Sequence, residues 1–271
     1  MLELSLKIMY YIPKKIHLIW FGRNPYTAVV EKCIESWKKI CPDYEIKLWN
    51  EDNFDVDSNI FTQEAYRTRK WAFVSDYVRL YALYNEGGVY IDSDVEILKP
   101  INDILENKHV VTGYSSSNWI PTGFMAAEKG NIWIKELMNY YEGRHFIKPD
   151  GSYDMKVNNV IITEISKEKF GFKVGDMLIQ NGNVSLYPQP YFHPFPRRAL
   201  DYSKIDLEKA KGYFGITQDT YCIHYGTATW VDDRNSISYK IKHLIRIILP
   251  QFLIEPLERI YYKHHRWDKV K

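Results

Sequence analysis

Hydrophobic and polar positions along this chain alternate between strand and helix periods. "KIHLIWFG" (15–22) is a short apolar run ending in glycine, which predicts a buried strand. Val29, Val30, Cys33, Ile34 and Trp37 then recur at helical spacing between Tyr26 and Cys41, and Pro42 ends that helix. "YEIKLWN" (44–50) alternates apolar and polar residues and reads as a second strand. Strand, helix, strand is the opening of an α/β domain with a mixed, mostly parallel central sheet. Residues 63–86 lack Pro and Gly and carry Trp71, Val74, Val78, Tyr81 and Leu83 at helical spacing. One helix is predicted there, closed by Gly87-Gly88. "VYID" (89–92) is the next strand, and "VEIL" (95–98) continues extended to Pro100.

Further on, "HVVTGY" (109–114), "TGFMAAE" (122–128) and "TYCIHYG" (220–226) read as strands, and 131–142 and 157–168 as helices. The polar stretch 143–160 is expected to be a mobile insertion. "NVSLYPQPYFHPFPRR" (183–198), with four prolines, is expected to be irregular or an edge strand. From Ser236 two amphipathic helices are predicted, broken at Pro250 and Pro256. The chain thus divides into a domain over 1–235 and a helical appendage over 236–271.

Composition narrows the function classes only slightly. The 271 residues are 45% hydrophobic and 26% charged, an ordinary globular balance. Net charge is +2, so the chain as a whole is no polyanion binder and no nucleic-acid partner is expected. The appendage holds eight Lys/Arg against three acids, net +5, which leaves about −3 for the first 235 residues. The 22 Tyr and 8 Trp supply flat faces suited to stacking on sugars or bases, although a Tyr-rich core accounts for them equally well. Cys33, Cys41 and Cys222 lie in no metal-ligand spacing, and an odd count favours a reducing compartment. The first residues contain no apolar leader segment, and no run of 18 uncharged apolar residues follows. A cytoplasmic location is the expectation.

Chemistry concentrates at "NEGGVYIDSDVEILKP" (85–100), where Asp92 and Asp94 end an apolar strand. Ligands of open α/β sheets bind outside the carboxyl ends of the strands. Residues i and i+2 of an extended segment point the same way, so two carboxylates there repel unless a cation lies between them. Oxygen ligands suit Mg²⁺ or Mn²⁺. A turn with Asp94 solvated is the competing arrangement. Asp76 and Arg79, at i and i+3 of the preceding helix, share a face and fit hydroxyl and phosphate contacts, or simply a surface ion pair.

Three segments, "IPKKIHLIWFG", "SWKKICPDYEIKLWNE" and "AFVSDYVRLYALYNEGGVYIDSDVEILKP", resemble the DXD-containing sugar transferases of glycosyltransferase family 32, in order over roughly residues 12–105. This family includes capsular-polysaccharide enzymes, and bacterial glucosylating toxins are more distant relatives. "PTGFMAAEKGN" (121–131) is similar to the strand and turn that follow in the family, and "HYGTATW" (224–230) to the His-containing loop of related retaining enzymes. The resemblance implies a GT-A type, Rossmann-like nucleotide-sugar-binding fold and a retaining, metal-dependent hexosyltransferase. It implies that Trp20, flanked by Ile19 and Phe21, lines the base pocket, although a core Trp is the alternative. It implies that Asp76 and Arg79 hold ribose or sugar hydroxyls and phosphate, beside Tyr90 and Ser93. Asp92 and Asp94 match the metal motif, with Mn²⁺ or Mg²⁺ as cofactor. His224 matches a metal ligand, with a buried structural histidine as the alternative, and Trp230 matches a donor contact although this loop lacks the Lys-Pro that relatives place before it.

The expected donor is a nucleotide sugar, UDP-hexose first and GDP-mannose second, and the expected acceptor a growing, lipid-linked surface glycan. Asp154 and Trp119 lie in segments that could border the acceptor. The basic, apolar appendage fits peripheral contact with the inner face of a membrane, or packing on the catalytic domain. A nucleotide-sugar hydrolase and an inactive glycan- or protein-binding relative are the alternatives in other functional classes.

Overall fold

A computed structural model describes residues 11–115, 119–173, 179–181, 183–194, 209, 211–212 and 214–227. Its centre is a seven-stranded sheet in the order β2-β1-β3-β6-β5-β8-β7. The strands are β1 (Lys15–Ile19), β2 (Glu45–Trp49), β3 (Gly88–Ile91), β5 (Val110–Gly113), β6 (Phe124–Ala127), β7 (Ile179–Asn181) and β8 (Val184–Tyr187). β1 is parallel to both β2 and β3, and β5 to β8, whereas β6 and β7 run against their neighbours. Five of the seven strands therefore share one direction, as in the mixed, mostly parallel sheet of a GT-A fold.

Alternation along each strand sorts its side chains onto two faces. Ile16, Leu18, Val89, Ile91, Val111, Phe124 and Ala126 join an apolar cluster with Val30, Ile34 and Trp37 of α1 (Ala28–Ile40). Tyr90, Val110, Met125, Ala127 and Leu186 turn the other way. They pack on α2 (Ile60–Arg67), α3 (Trp71–Glu86), α4 (Ile132–Asn139) and α5 (Asn158–Phe170). Burial on both faces explains why these strands read as near-continuous apolar runs rather than half-polar ones.

Four expectations are corrected. The single helix over 63–86 is two. Arg69 adopts a left-handed φ of 59° between α2 and α3, and the Lys70 N–H returns to the Ala65 carbonyl at 2.8 Å. The stretch 143–160, expected as a mobile insertion, takes a defined course. Phe146 is fully buried, Ile147 bridges Tyr153, and the Ile147 N–H donates to Glu64. The proline-rich segment contains an interior strand, β8, between β5 and β7. Its described prolines, Pro188, Pro190 and Pro194, fall after Tyr187, where no ladder bond is asked of them. Finally, β4 (Val95–Ile97) does not prolong β3. It leaves the main sheet and pairs antiparallel with β9 (Cys222–His224), with Val95 opposite His224. The predicted helices beyond Ser236, and Trp230, lie outside the described residues.

Candidate active site

The site forms where β3 ends. α3 is closed by Gly87 at φ 67°, and Gly88 follows at φ 111°, where a side chain would meet the Lys15 carbonyl at 2.6 Å. Only glycine permits this sharp helix-to-strand reversal. It sets α3 beside β3, so that Arg79 lies over the Tyr90 ring, 4.6 Å from its centroid. Arg79 Nη2 meets Asp76 at 2.9 Å, Nη1 lies 3.5 Å from Asp92, and Nε donates to the Ser75 carbonyl. Only 6% of the Arg79 side chain is exposed, so this is no surface ion pair. Burial opposes the guanidinium charge, but Tyr90, Asp76 and Asp92 outweigh it and hold the pKa above its ordinary value. Burial dominates at Asp76, lifting its pKa to about 6 against the pull of Arg79 and Asn158.

Asp92 and Asp94 do not sit on an extended strand. The chain turns between them, with the Val95 N–H bonded to the Asp92 carbonyl at 2.9 Å. The same-side argument from strand periodicity therefore does not apply, and the carboxylates converge through the turn. Asp92 accepts from the Tyr90 hydroxyl. Asp94, 9% exposed, accepts from the backbone N–H and the hydroxyl of Thr227 at 2.7 and 2.8 Å. The β4–β9 pairing brings in His224, whose Nε2 lies 3.1 Å from Asp94 and 3.6 Å from Asp92. One ligand atom from each of Asp92, Asp94 and His224 falls within 4.8 Å of the others.

Burial works against the charge of Asp94, but His224 and Thr227 hold its pKa well below the usual carboxylate range. Burial likewise disfavours charged His224, yet Asp94 and Asp92 raise it to about 9. A proton on His224 thus occupies the place between two carboxylates that a divalent cation would take. Two carboxylates and an imidazole are a fitting donor set for Mn²⁺, and a less fitting one for Mg²⁺, which prefers oxygen ligands throughout.

The other nominated residues are more scattered. Trp20 is half-buried, its ring N–H on the Asn24 carbonyl, and it lines a cleft of about 320 Å³ with Asn24, Tyr26, Leu48 and Asn50. Because β1 is parallel to β3, the cleft opens at the same sheet edge as Asp92. Ile19 and Phe21 face inward and are buried in the core. Ser93 is half-buried in the carboxylate turn. Trp119 is half-buried, and its carbonyl accepts from the Ser115 N–H. Asp154 is buried against Arg144, which donates at 2.7 Å, and so serves the loop's own structure.

Four residues near the site were not singled out by sequence reasoning. Thr227 lies within the quoted "HYGTATW", but only the fold shows that it holds Asp94. Gly123 accepts the Asp92 N–H at 3.0 Å, and a methyl group there would lie 2.9 Å from both His193 and His224. Asn158 donates to the Asp76 carbonyl at 3.3 Å while its own Oδ1 is buried without a partner. His193 lies beside His224 with ring centroids 5.7 Å apart; burial, then His224, lower its pKa to about 3. No spacing in the sequence marks the last two.

Residues 27–111 match the family model described as the glycosyltransferase sugar-binding region containing a DXD motif. That span holds Asp76, Arg79, Asp92 and Asp94 but not His224 or Thr227. An uncharacterized glycosyltransferase of Acanthamoeba polyphaga mimivirus is 24% identical over 252 residues, which cover 88% of this chain and 92% of that protein. The subversion of eukaryotic traffic protein A of Legionella pneumophila is 21% identical over 231 residues, 73% of this chain and 34% of that protein. Among solved structures, the galactosyltransferase LgtC in complex with donor and acceptor sugar analogs is 12% identical. The overlay covers 88% of this chain and 98% of that one, with a TM-score of 0.45.

Proposed function

We propose, from the premise that the chain carries the DXD-containing sugar-binding region of a glycosyltransferase, that it transfers a hexose from a nucleotide sugar to a glycan with retention at the anomeric carbon. One observation carries this reading: Asp92, Asp94 and His224 converge within 4.8 Å beside a buried Arg79. These three residues would hold Mn²⁺ or Mg²⁺. When bound, such an ion neutralises charge that develops on a departing diphosphate.

The chain's own groups prepare that chemistry. Arg79 is a fixed cation, already desolvated and aimed at Asp92, so its field needs no rearrangement as negative charge develops nearby. Tyr90 and Thr227 hold the two carboxylates by hydrogen bonds. Asp76 offers acceptor oxygens to hydroxyls of the donor. The cleft beside Trp20 is the natural seat for the base, with uracil favoured.

In the transfer, the bond between the anomeric carbon and the phosphate oxygen breaks while the acceptor oxygen bonds to that carbon from the same face. The acceptor proton passes to the departing phosphate. A covalent route would need a carboxylate free to attack. Asp76 is clamped by Arg79, and Asp92 and Asp94 by Tyr90 and Thr227, which favours same-face attack. The acceptor is proposed to be a lipid-linked surface glycan of the capsular type, met in the cytoplasm at the inner face of the membrane.

A thermal-shift panel of UDP, GDP and their hexose conjugates, with and without Mn²⁺, tests this. Ligands that bind the folded state raise the melting temperature with occupancy. A Mn²⁺-dependent shift is expected, largest with UDP-hexose and abolished by Asp94→Asn. Metal-independent binding would remove the basis of the proposal. Glycan product with an acceptor, against free sugar without one, separates the transferase from a hydrolase.

A further inference from the structure

His193 occupies a place that neither the DXD motif nor its flanking residues account for. The preceding Phe192 is stacked on Phe124 of β6, with ring centroids 4.2 Å apart. The His193 backbone is fixed twice, its N–H on the Gln189 carbonyl and its carbonyl accepting from the Gln189 amide, each at 2.9 Å. Its ring is thereby held against Gly123, and the missing side chain of Gly123 is what admits it. A methyl group there would lie 2.9 Å from His193 Cε1 and equally close to His224 Nδ1. The two imidazoles thus share the bare side of one glycine, whose carbonyl anchors the Asp92 N–H. His224 turns Nε2 toward the carboxylates, and its Nδ1 edge faces Gly123, against which His193 also lies. His193 Nε2 is sealed from solvent with no hydrogen-bond partner.

A buried polar atom without a partner costs stability, and its retention beside a functional cluster calls for a role. A histidine that ligates through Nε2 carries its proton on Nδ1, and that N–H is ordinarily held by a neighbouring acceptor which fixes the tautomer and the ring. We propose that His193 is the positioning residue for His224: its buried, unpartnered Nε2 is the acceptor that takes the Nδ1 proton of His224 in a hydrogen bond when the imidazole presents Nε2 to a cation shared with Asp92 and Asp94. The inference rests on the metal-dependent reading above. It adds that the Pro-rich segment after β8, far from the DXD motif in sequence, tunes that metal site.

The test measures Mn²⁺ affinity by calorimetry and metal-free melting temperature for the full chain and for His193→Leu and His193→Gln. For His193→Leu the two readouts should move independently. The metal-free melting temperature stays or rises, because an unpartnered polar group has been replaced by an apolar one. Mn²⁺ affinity falls by about tenfold or more, the usual effect of losing a partner behind a metal ligand. His193→Gln, which restores a polar atom, recovers part of the affinity. On a His224→Ala background, His193→Leu adds no further loss, as expected for groups acting as one unit. Should His193→Leu bind Mn²⁺ as tightly as the native chain, or cost as much on the His224→Ala background, the positioning role is wrong. If Leu fails to fold, His193→Ala takes its place in the same comparison, and unchanged Mn²⁺ affinity there is the overturning result. A native chain that binds no Mn²⁺ instead overturns the proposed function itself.

Discussion

Asp92 and Asp94 are two residues apart, yet they belong to different regions of the molecule. The Asp92 carboxylate is furnished mainly locally: Tyr90 and Arg79 come from β3 and α3, the helix-to-strand unit that delivers it, with His224 farther off at 3.6 Å. Asp94 is furnished from far along the chain, by His224 of β9 and by Thr227, which lies 133 residues away. The first region is a buried charge network that the fold leans on. The second is the seam between β4 and β9, where the buried Asp94 meets an imidazole and a threonine. Perturbing the α3 side should therefore register mainly as lost stability, and perturbing the β9 side mainly as altered response to pH and metal.

The largest effect is expected on the α3 side. Arg79→Met strips the largely buried Asp76 and Asp92 side chains of the one guanidinium close to them among the described residues and should cost about 3–5 kcal/mol of unfolding free energy, read by urea denaturation. A loss below about 1 kcal/mol would break the contrast, since Asp92 would then not depend on its local partners.

The next effect is a pH dependence centred on His224. Its folded-state pKa of about 9 exceeds the ordinary 6.5. The protonated ring therefore contributes stability that is fully present below pH 6.5 and is lost as pH rises through about 9. In chelator-treated protein this amounts to something on the order of 3 kcal/mol. Melting temperatures across that window should fall with pH in the native chain and flatten in His224→Gln. Adding divalent cation should do the opposite, stabilising more as pH rises, because metal and proton compete for the same nitrogen. Equal slopes in the two chains would show that His224 does not face the carboxylates.

The smallest effect comes from Thr227→Val, which removes the hydroxyl but keeps the N–H on Asp94. Loss of one hydrogen bond to a buried carboxylate should cost about 2 kcal/mol. It should also weaken Mn²⁺ binding, as measured by calorimetry. A stability loss with unchanged metal affinity would mean that Thr227 only packs β9 against the turn.

Much of the first region was legible in the sequence. α1, β1, β2 and β3 follow from local period, and Gly87-Gly88 marks the reversal, because glycine is what a left-handed φ asks for. The Asp76–Arg79 pair follows from i, i+3 spacing. The break between α2 and α3 was not legible, since it lies at Arg69, a residue with no breaking tendency. The turn between Asp92 and Asp94 was legible only as the competing arrangement, and with Asp94 solvated rather than buried, because the apolar run "VEIL" has a strand's pattern without stating which sheet it joins.

The sequence by itself determined the alternating elements, the acidic strand end and the charged face of α3, because these depend on residues within a few turns of one another. The tertiary structure alone decided that β4 leaves the main sheet to meet β9, and so that His224 and Thr227 reach Asp94. It alone decided that Gly123 makes room for two imidazoles and that Asp154 is spent on Arg144. Contacts across more than a hundred residues are chosen by how whole faces bury, a quantity that no short window of sequence contains.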